Sequence, residues 1–357
     1  MSYTWKLKSF AGIFLAFLLL ANISSAQMTP QSQLANRTLE VMVGFSNTGG
    51  GARFWNVFSK ELRKKLPKTI IRARFNDTAS GVSGTSDLFK LPKGTLAIGF
   101  VRPPEIAFAQ INERAEVDFD FRDANWISGV EQDSFIMAAR RELPTDPAEL
   151  RKMEPQLILP VSDILATHAT VGILLNAVTG IPAKIVVGFK KSDRKRALVA
   201  GDADMYTIAA DAKLEPLLAS GDIQSLYTIA GSSFSSVVDK TRTLETFLVP
   251  DAPKSVVSFV KSARGMGRAF FAPPSVAPKD VQALRSIFKD ILEDEEFVAL
   301  AASNGVPVAA VSSQDVSAQL NELLLSDEAS KKQLEKAYQC GISMARGDIQ
   351  NCNFGAE

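Results

Sequence analysis

Short apolar runs alternate with polar turns and amphipathic stretches along this chain, and that order restricts its fold more than any other feature. Strands that each lead into a helix are most simply laid side by side with the helices packed on the sheet, which predicts an α/β fold with mostly parallel strands. Leu39 to Gly44 is one apolar run, and it enters the turn Phe45-Ser46-Asn47-Thr48-Gly49-Gly50-Gly51. Phe54, Val57, Phe58 and Leu62 then fall at helical spacing as far as Pro67. Ile70 to Phe75 enters a second polar turn, Asn76 to Gly81, and Leu96 to Phe100 forms a third strand.

The middle of the chain repeats this grammar, which predicts a second lobe of the same kind. Phe135 to Ala139 and Leu157 to Val161 read as strands, and the turn Ser162 to Thr167 opens a helix reaching about Val178. Lys184 to Phe189 is a strand, with Ser192 as N-cap of a helix from Arg194 to Ala200, and Ile223 to Ile229 is a further strand. Arg268 to Ala272 is stopped by Pro273-Pro274, and helical segments follow at 278–292, 294–303 and 313–339.

The first residues have the composition of a secretory leader. Lys6 and Lys8 precede an apolar run from Phe10 to Ile23, and Ser24-Ser25-Ala26 supplies small residues for cleavage before Gln27. The run of about 14 residues is shorter than the roughly 20 needed to span a bilayer. Residues 1–26 are therefore read as a leader, and the remaining length exceeds what one core usually serves, so two lobes are expected. Without the leader, 38 basic face 39 acidic residues, a balance that lacks the basic footprint of a nucleic-acid partner. Cys340 and Cys352, the only cysteines, read as a disulfide in an oxidising compartment, with two free thiols as the alternative. No metal site is expected, because His168 is the sole histidine and no C-x-x-C occurs. No cofactor is implied.

Each polar turn opens a helix, where orphan N–H groups and the helix dipole favour an anion. All three should lie outside the carboxyl ends of strands, where open α/β sheets bind ligands. The bland alternative for any one of them is an ordinary connecting loop.

The order of these features resembles the tripartite tricarboxylate transporter receptor family, the Bug or TctC-like periplasmic receptors. Phe45 to Gly51 resembles its opening aromatic and glycine cluster, and Ala166-Thr167-His168 with Ala177-Val178-Thr179-Gly180-Ile181 resembles its His-containing helix and T-G-I ending. Lys184 to Phe189 with Ala197 to Asp204, and Ala269-Phe270-Phe271-Ala272-Pro273-Pro274, resemble its strand–helix–G-E-V-D and F-A-P segments. The match covers about residues 40–330. The resemblance implies a type II periplasmic-binding-protein fold: two α/β lobes with mostly parallel sheets joined by two crossing strands near 128–134 and 228–250. Lobe 1 would comprise 27–130 and 231–357, and lobe 2 would comprise 131–230.

It further implies a small organic acid held between the lobes, transient contact with membrane transporter subunits, a periplasmic location and a monomer. The implied first-lobe contacts are Ser46, Asn47, Gly49, Gly50, Thr78, Ala79, Ser80 and Gly81, and those of the second lobe are Ser162, Thr167, His168 and Asp204. The sequence departs from the family at Ala52-Arg53, where an Asp is usual, and at Asp77 to Gly81, where P-G-A-G-G is usual.

Several residues carry two readings. Arg53 suits a ligand carboxylate or a helix surface. His168 titrates near neutrality or packs as a structural group. Asp204 accepts from a ligand or ends a strand. The basic run Lys190-Lys191, Arg194-Lys195-Arg196 docks a partner or forms a solvated helix face. Gly265-Met266-Gly267 is half a dinucleotide fingerprint, but Phe270 stands where its last glycine would be. No G-x-S-x-G, H-E-x-x-H or P-loop occurs, so a receptor is favoured over a hydrolase, with a ligand sensor as the other receptor-like use.

Overall fold

The computed structural model describes residues 29–348 except 112, 132–133, 163, 165–166, 190, 211–213, 232–237, 239–241 and 325–326. The leader and Cys352 lie outside the described residues. Among the described residues, no helix is long and apolar enough to cross a membrane.

The chain forms α1 (Pro30–Leu34), β1 (Thr38–Val43), α2 (Gly50–Lys65), β2 (Ile70–Phe75), a 3-10 turn (Thr78–Gly81), α3 (Val82–Phe89), β3 (Ala97–Val101), α4 (Pro103–Ile111) and β4 (Asn125–Glu131). It continues through β5 (Phe135–Arg140), α5 (Pro147–Leu150), β6 (Leu157–Pro160), α6 (Thr167–Thr179), β7 (Ala183–Val186), α7 (Lys191–Ala200), β8 (Met205–Ala209), α8 (Glu215–Ala219) and β9 (Ile223–Ala230). It ends with α9 (Lys254–Gly265), β10 (Arg268–Ala272), α10 (Pro278–Leu292), α11 (Glu295–Ser303), β11 (Ala309–Val311), α12 (Ser313–Leu324) and α13 (Glu328–Ala345).

The first sheet has the order β11-β4-β10-β3-β1-β2. Its ladders leave β1 to β4 running one way, with β10 and β11 reversed. In the second sheet β5 is antiparallel to both flanking strands, β8 and β9, and β6 and β7 form a parallel pair. The chain passes from β4 in the first sheet to β5 in the second, and returns from β9 towards β10. This mixed α/β architecture fulfils the expected fold class. The reversed strands are those that follow the chain's crossings between sheets, together with the terminal β11.

Aromatic packing fixes the first helix against the first sheet. Phe54 and Phe58 of α2 meet Phe270 of β10, Phe288 of α10 and Phe297 of α11 at centroid distances of 4.9 to 6.4 Å. Phe100 stacks on Phe270 at 4.3 Å and tilts against Phe45 at 4.9 Å. Burial of such rings dominates core energetics, so the amino end of α2 is held beside the carboxyl ends of β1 and β3. At the other end of the chain α13 packs on α6. A Cβ at Gly341 would lie 1.9 Å from the carbonyl oxygen of Ile173, so the two helices touch backbone to backbone.

Several boundaries differ from the sequence reading. The helix after β1 starts at Gly50, earlier than Phe54, because Gly51 lets the ring of Phe45 lie against it: a Cβ there would sit 2.2 Å from that ring. Ser192 lies inside α7, so it is not the N-cap. The segment 313–339 is two helices, and Asp327 caps the second by accepting the Ser330 N–H at 2.8 Å. The helices α3, α4 and α9 and the strand β8 were not read from the sequence at all.

Candidate functional site

The first two turns lie against each other. Asn76 N–H donates to the Val43 carbonyl at 2.9 Å, and a Cβ on Gly81 would stand 3.2 Å from both the Cα and the oxygen of Gly44. Ala79, Ser80 and Gly81 all have positive φ, at 52°, 60° and 91°. Consecutive left-handed residues are costly outside glycine, and here they bend the chain sharply between β2 and α3. Thr78 N–H donates to Asn76 Oδ1 at 3.1 Å. Ser46 and Asn47 are exposed beside this turn, with Gly49 and Gly50 half-buried. Two guanidinium groups approach Gly50: its Cβ position would lie 3.3 Å from Arg268 Nη2 and 3.8 Å from Arg53 Nη2.

The third turn is pinned by its own histidine. Ser162 N–H donates to His168 Nε2 at 3.0 Å, and the Ser162 hydroxyl lies 3.2 Å from the same nitrogen. Burial pushes the imidazole pKa down to about 3, assisted by the positive charges of Arg194, Arg264 and Arg102. His168 is thus neutral and already accepts one hydrogen bond. It is a poor base for the neighbouring hydroxyl, and its role is to hold the turn.

Those three arginines are the feature that the sequence reading missed. Arg102 directly follows β3, bonds Glu105 at 3.3 Å and stacks over Phe45 at 5.2 Å. Arg194 of α7 lies over the ring of Tyr206 at 5.9 Å. Arg264 of α9 lies over Phe135 at 5.1 Å and donates to Thr207 Oγ1 at 3.0 Å. Burial lowers the pKa of Arg194, and it lowers that of Arg264 to about 9, with Glu105 opposing the shift and Arg102 and Arg194 adding to it. The Nε atoms of Arg194 and Arg264 are shut off from solvent without a hydrogen-bond partner. The basic run around Arg194 is therefore not all solvated helix face. Arg196 is exposed and pairs with Asp193 at 2.5 Å, whereas Arg194 turns inward.

A signal for two of these residues was present. Arg194 lies three and four positions before Ala197 and Leu198, both buried, and Arg264 lies four and seven after the buried Val260 and Val257. Residues so spaced share a helix face, so both arginines stand on apolar stripes.

A cavity of about 530 Å³ is lined by Glu105, the partner of Arg102, and by neither His168 nor any of the three arginines. Ala79 and Ser80 contribute from the second turn, Ile164 and Thr167 from the third, and Glu105, Phe108 and Tyr338 from α4 and α13. Glu105 links the cavity to the arginines through Arg102. Two of the three turns thus face one space, and the first stands behind Gly81.

Asp204 does not join them. One carboxylate oxygen accepts from Arg140 Nε at 2.5 Å and the other from the Ile158 N–H at 2.7 Å. Its backbone bonds Ile158 and Arg140 as well, at 2.9 and 3.0 Å, so it ties β6 to the sheet of β5 and β8. Cys340 is buried in α13. Among the described residues no group of acids, histidines and cysteines could hold a metal.

No protein-family profile matches the chain, and no curated protein matches it in sequence. Solved structures do resemble it. A TctC solute binding protein from Polaromonas, solved with no ligand, is 15% identical with a TM-score of 0.65, over 84% of this chain and 98% of that one. A Rhodopseudomonas palustris protein solved with adipate is 18% identical with a TM-score of 0.59, over 84% and 97%. MatC from the same organism, with bound malate, is 14% identical with a TM-score of 0.59, over 84% and 99%. At these identities the likeness is one of fold, and it extends along nearly the whole of each neighbour: the chain has the fold of the TctC-type solute-binding proteins.

Proposed function

We propose that this chain is an exported solute receptor that captures a small carboxylated anion between two lobes and presents it to a tripartite tricarboxylate-type membrane transporter. One observation carries the reading: the positive charges of Arg194, Arg264 and Arg102 all act on the neutral His168, and Glu105 acts on Arg102 and Arg264 in return. Half-buried cations with too little counter-charge are costly, and an anionic ligand relieves that cost. The whole chain carries a formal net charge of only +1, so this concentration of charge is local to the site. Malate and adipate in two proteins of the same fold support a carboxylate as the ligand class.

In this reading residues 27–130 and 231–357 form one lobe and 131–230 the other, closing about the passages β4–β5 and β9–β10. The protein would act as a periplasmic monomer after losing residues 1–26, with Cys340 bonded to Cys352. Ser46, Asn47, Gly49, Gly50 and Arg53, together with Thr78 to Gly81, would face the ligand from one side, and Ser162 and Thr167 from the other. A thermal-shift screen against malate, adipate and other small organic acids tests the function. Ligand binding to the folded state alone raises the melting temperature, and recovery of the acid unchanged distinguishes a receptor from an enzyme. A screen in which no acid shifts the transition contradicts the proposal.

A further inference from the structure

We infer that the cavity between α4, α6 and α13 houses an apolar body of the ligand, and that the preferred ligand is a monocarboxylate carrying a carbon ring. The inference rests on the receptor reading and deepens it.

The lining of the cavity is graded by depth. Phe108 and Ala109 of α4 and Leu174 of α6 form a buried floor, with Leu334 and Tyr338 of α13 half-buried beside it. All five belong to, or pack against, one continuous hydrophobic cluster. Lys331, Glu335 and Gln339 are exposed and stand at the rim. A space of about 530 Å³ with apolar walls and a few polar groups is of the kind that small organic molecules occupy.

The charge balance argues against a second carboxylate in this space. Arg114 and Lys331 line it, and each already pairs with an acid, Glu116 at 3.1 Å and Glu328 at 2.7 Å. Glu105, also in the lining, pairs with Arg102 at 3.3 Å. With Glu335 added, three bases face four acids among the lining residues and their partners. A second carboxylate entering here meets surplus negative charge, whereas a hydrocarbon ring meets apolar floor. Ser80 of the second turn and Thr167 of the third line the same space, so a carboxylate held at those turns directs the rest of its molecule into the cavity.

The third wall, α13, is anchored along its length. Gly341 touches the backbone of α6 at Ile173, Gln156 Nε2 donates to the Met344 carbonyl, and the Ser255 hydroxyl donates to Gln333 Oε1 at 2.6 Å. Leu334, Tyr338 and Gly341 are spaced four and three apart, which puts them on one stripe of the helix. The contact with α6 therefore holds the two cavity-lining side chains in place.

The test is isothermal titration of the purified protein with acetate, phenylacetate, cyclohexylacetate and malate. Both ring acids should bind at least about tenfold more tightly than acetate or malate, since burying one ring takes a large apolar area out of water. Their binding should also show the more negative heat-capacity change, the mark of apolar burial. Leu334→Trp fills the cavity from α13 and lies outside all three turns. It should abolish the advantage of the ring acids and leave acetate affinity within about twofold. Circular dichroism melts identify a variant that fails to fold, and the four acids on the unaltered protein then decide alone. Acetate or malate binding as tightly as the ring acids overturns the inference and leaves the receptor reading standing, as does a folded Leu334→Trp variant that keeps the ring-acid advantage. Failure of every acid to bind the folded protein overturns both.

Discussion

The two sides of the candidate site are built by different means. The side formed by the turns after β1 and β2 offers backbone: glycines, short hydroxyls and three consecutive residues with positive φ, packed so closely that Gly81 rests on Gly44. The third turn is held by a side chain instead: His168 Nε2 accepts the Ser162 N–H at 3.0 Å. A backbone surface fixes the shape of what it accepts, because it cannot repack. A turn held by one imidazole depends on that ring's protonation state, so it can be loosened without repacking the rest.

The largest expected effect on the backbone side comes from Gly51→Ala. The added Cβ would overlap the ring of Phe45, which also carries the guanidinium of Arg102 on a face. Overpacking of this kind costs about 1–3 kcal/mol, read as a lowered denaturation midpoint, and acid binding should weaken along with it. If stability falls while binding is untouched, the two sides are not coupled through Phe45.

His168 gives the comparison a dependence on pH. Its folded pKa, near 3, lies below the ordinary value of 6.5, so the unfolded chain binds the proton first. Stability from this group is therefore fully present above pH 6.5 and is lost as pH falls towards 3, by on the order of 1.4 kcal/mol per pH unit at most. Denaturant titrations between pH 7 and 4.5 should show the loss, and His168→Gln should flatten it. A slope unchanged in the variant would mean that other groups carry it.

Asp204→Asn separates structure from binding within the second half. It weakens the bond to Arg140 and should cost about 1–2 kcal/mol in stability, with affinity for acids unchanged within about twofold. A selective loss of affinity would return Asp204 to the ligand site. Gly50→Ala is expected to do least. Its Cβ would meet only the ends of two arginine side chains, Arg268 at 3.3 Å and Arg53 at 3.8 Å, and stability should stay within about 0.5 kcal/mol. A bulky residue at Gly50 should instead block the acid, as isothermal titration would report.

Local pattern recovered the fold better than the site. The strands at Ile70–Phe75 and Arg268–Ala272 were legible to the residue, because alternation and flanking turn residues act within a few positions. The helix α4 was not, since Pro103-Pro104 looks like a break; proline at the first helical turn lacks only a donor that would be unpaired anyway. The turns were placed correctly because glycine, serine and threonine mark them locally. Asp204 was misjudged because its partners, Arg140 and Ile158, are brought to it by strand pairing across 46 to 64 residues. Arg194 was hidden in a basic run that reads as solvent-facing, and Arg264 in a helix that went unread. In both cases the helical phase of a single charged residue, rather than the density of charge, held the information.

The most direct measurement is a crystal structure of the protein with the acid that gives the largest thermal shift. The account predicts the anion beside the turns near Gly50 and Ser80 and against the turn that His168 holds. An acid bound on a surface that none of these turns reaches would contradict it.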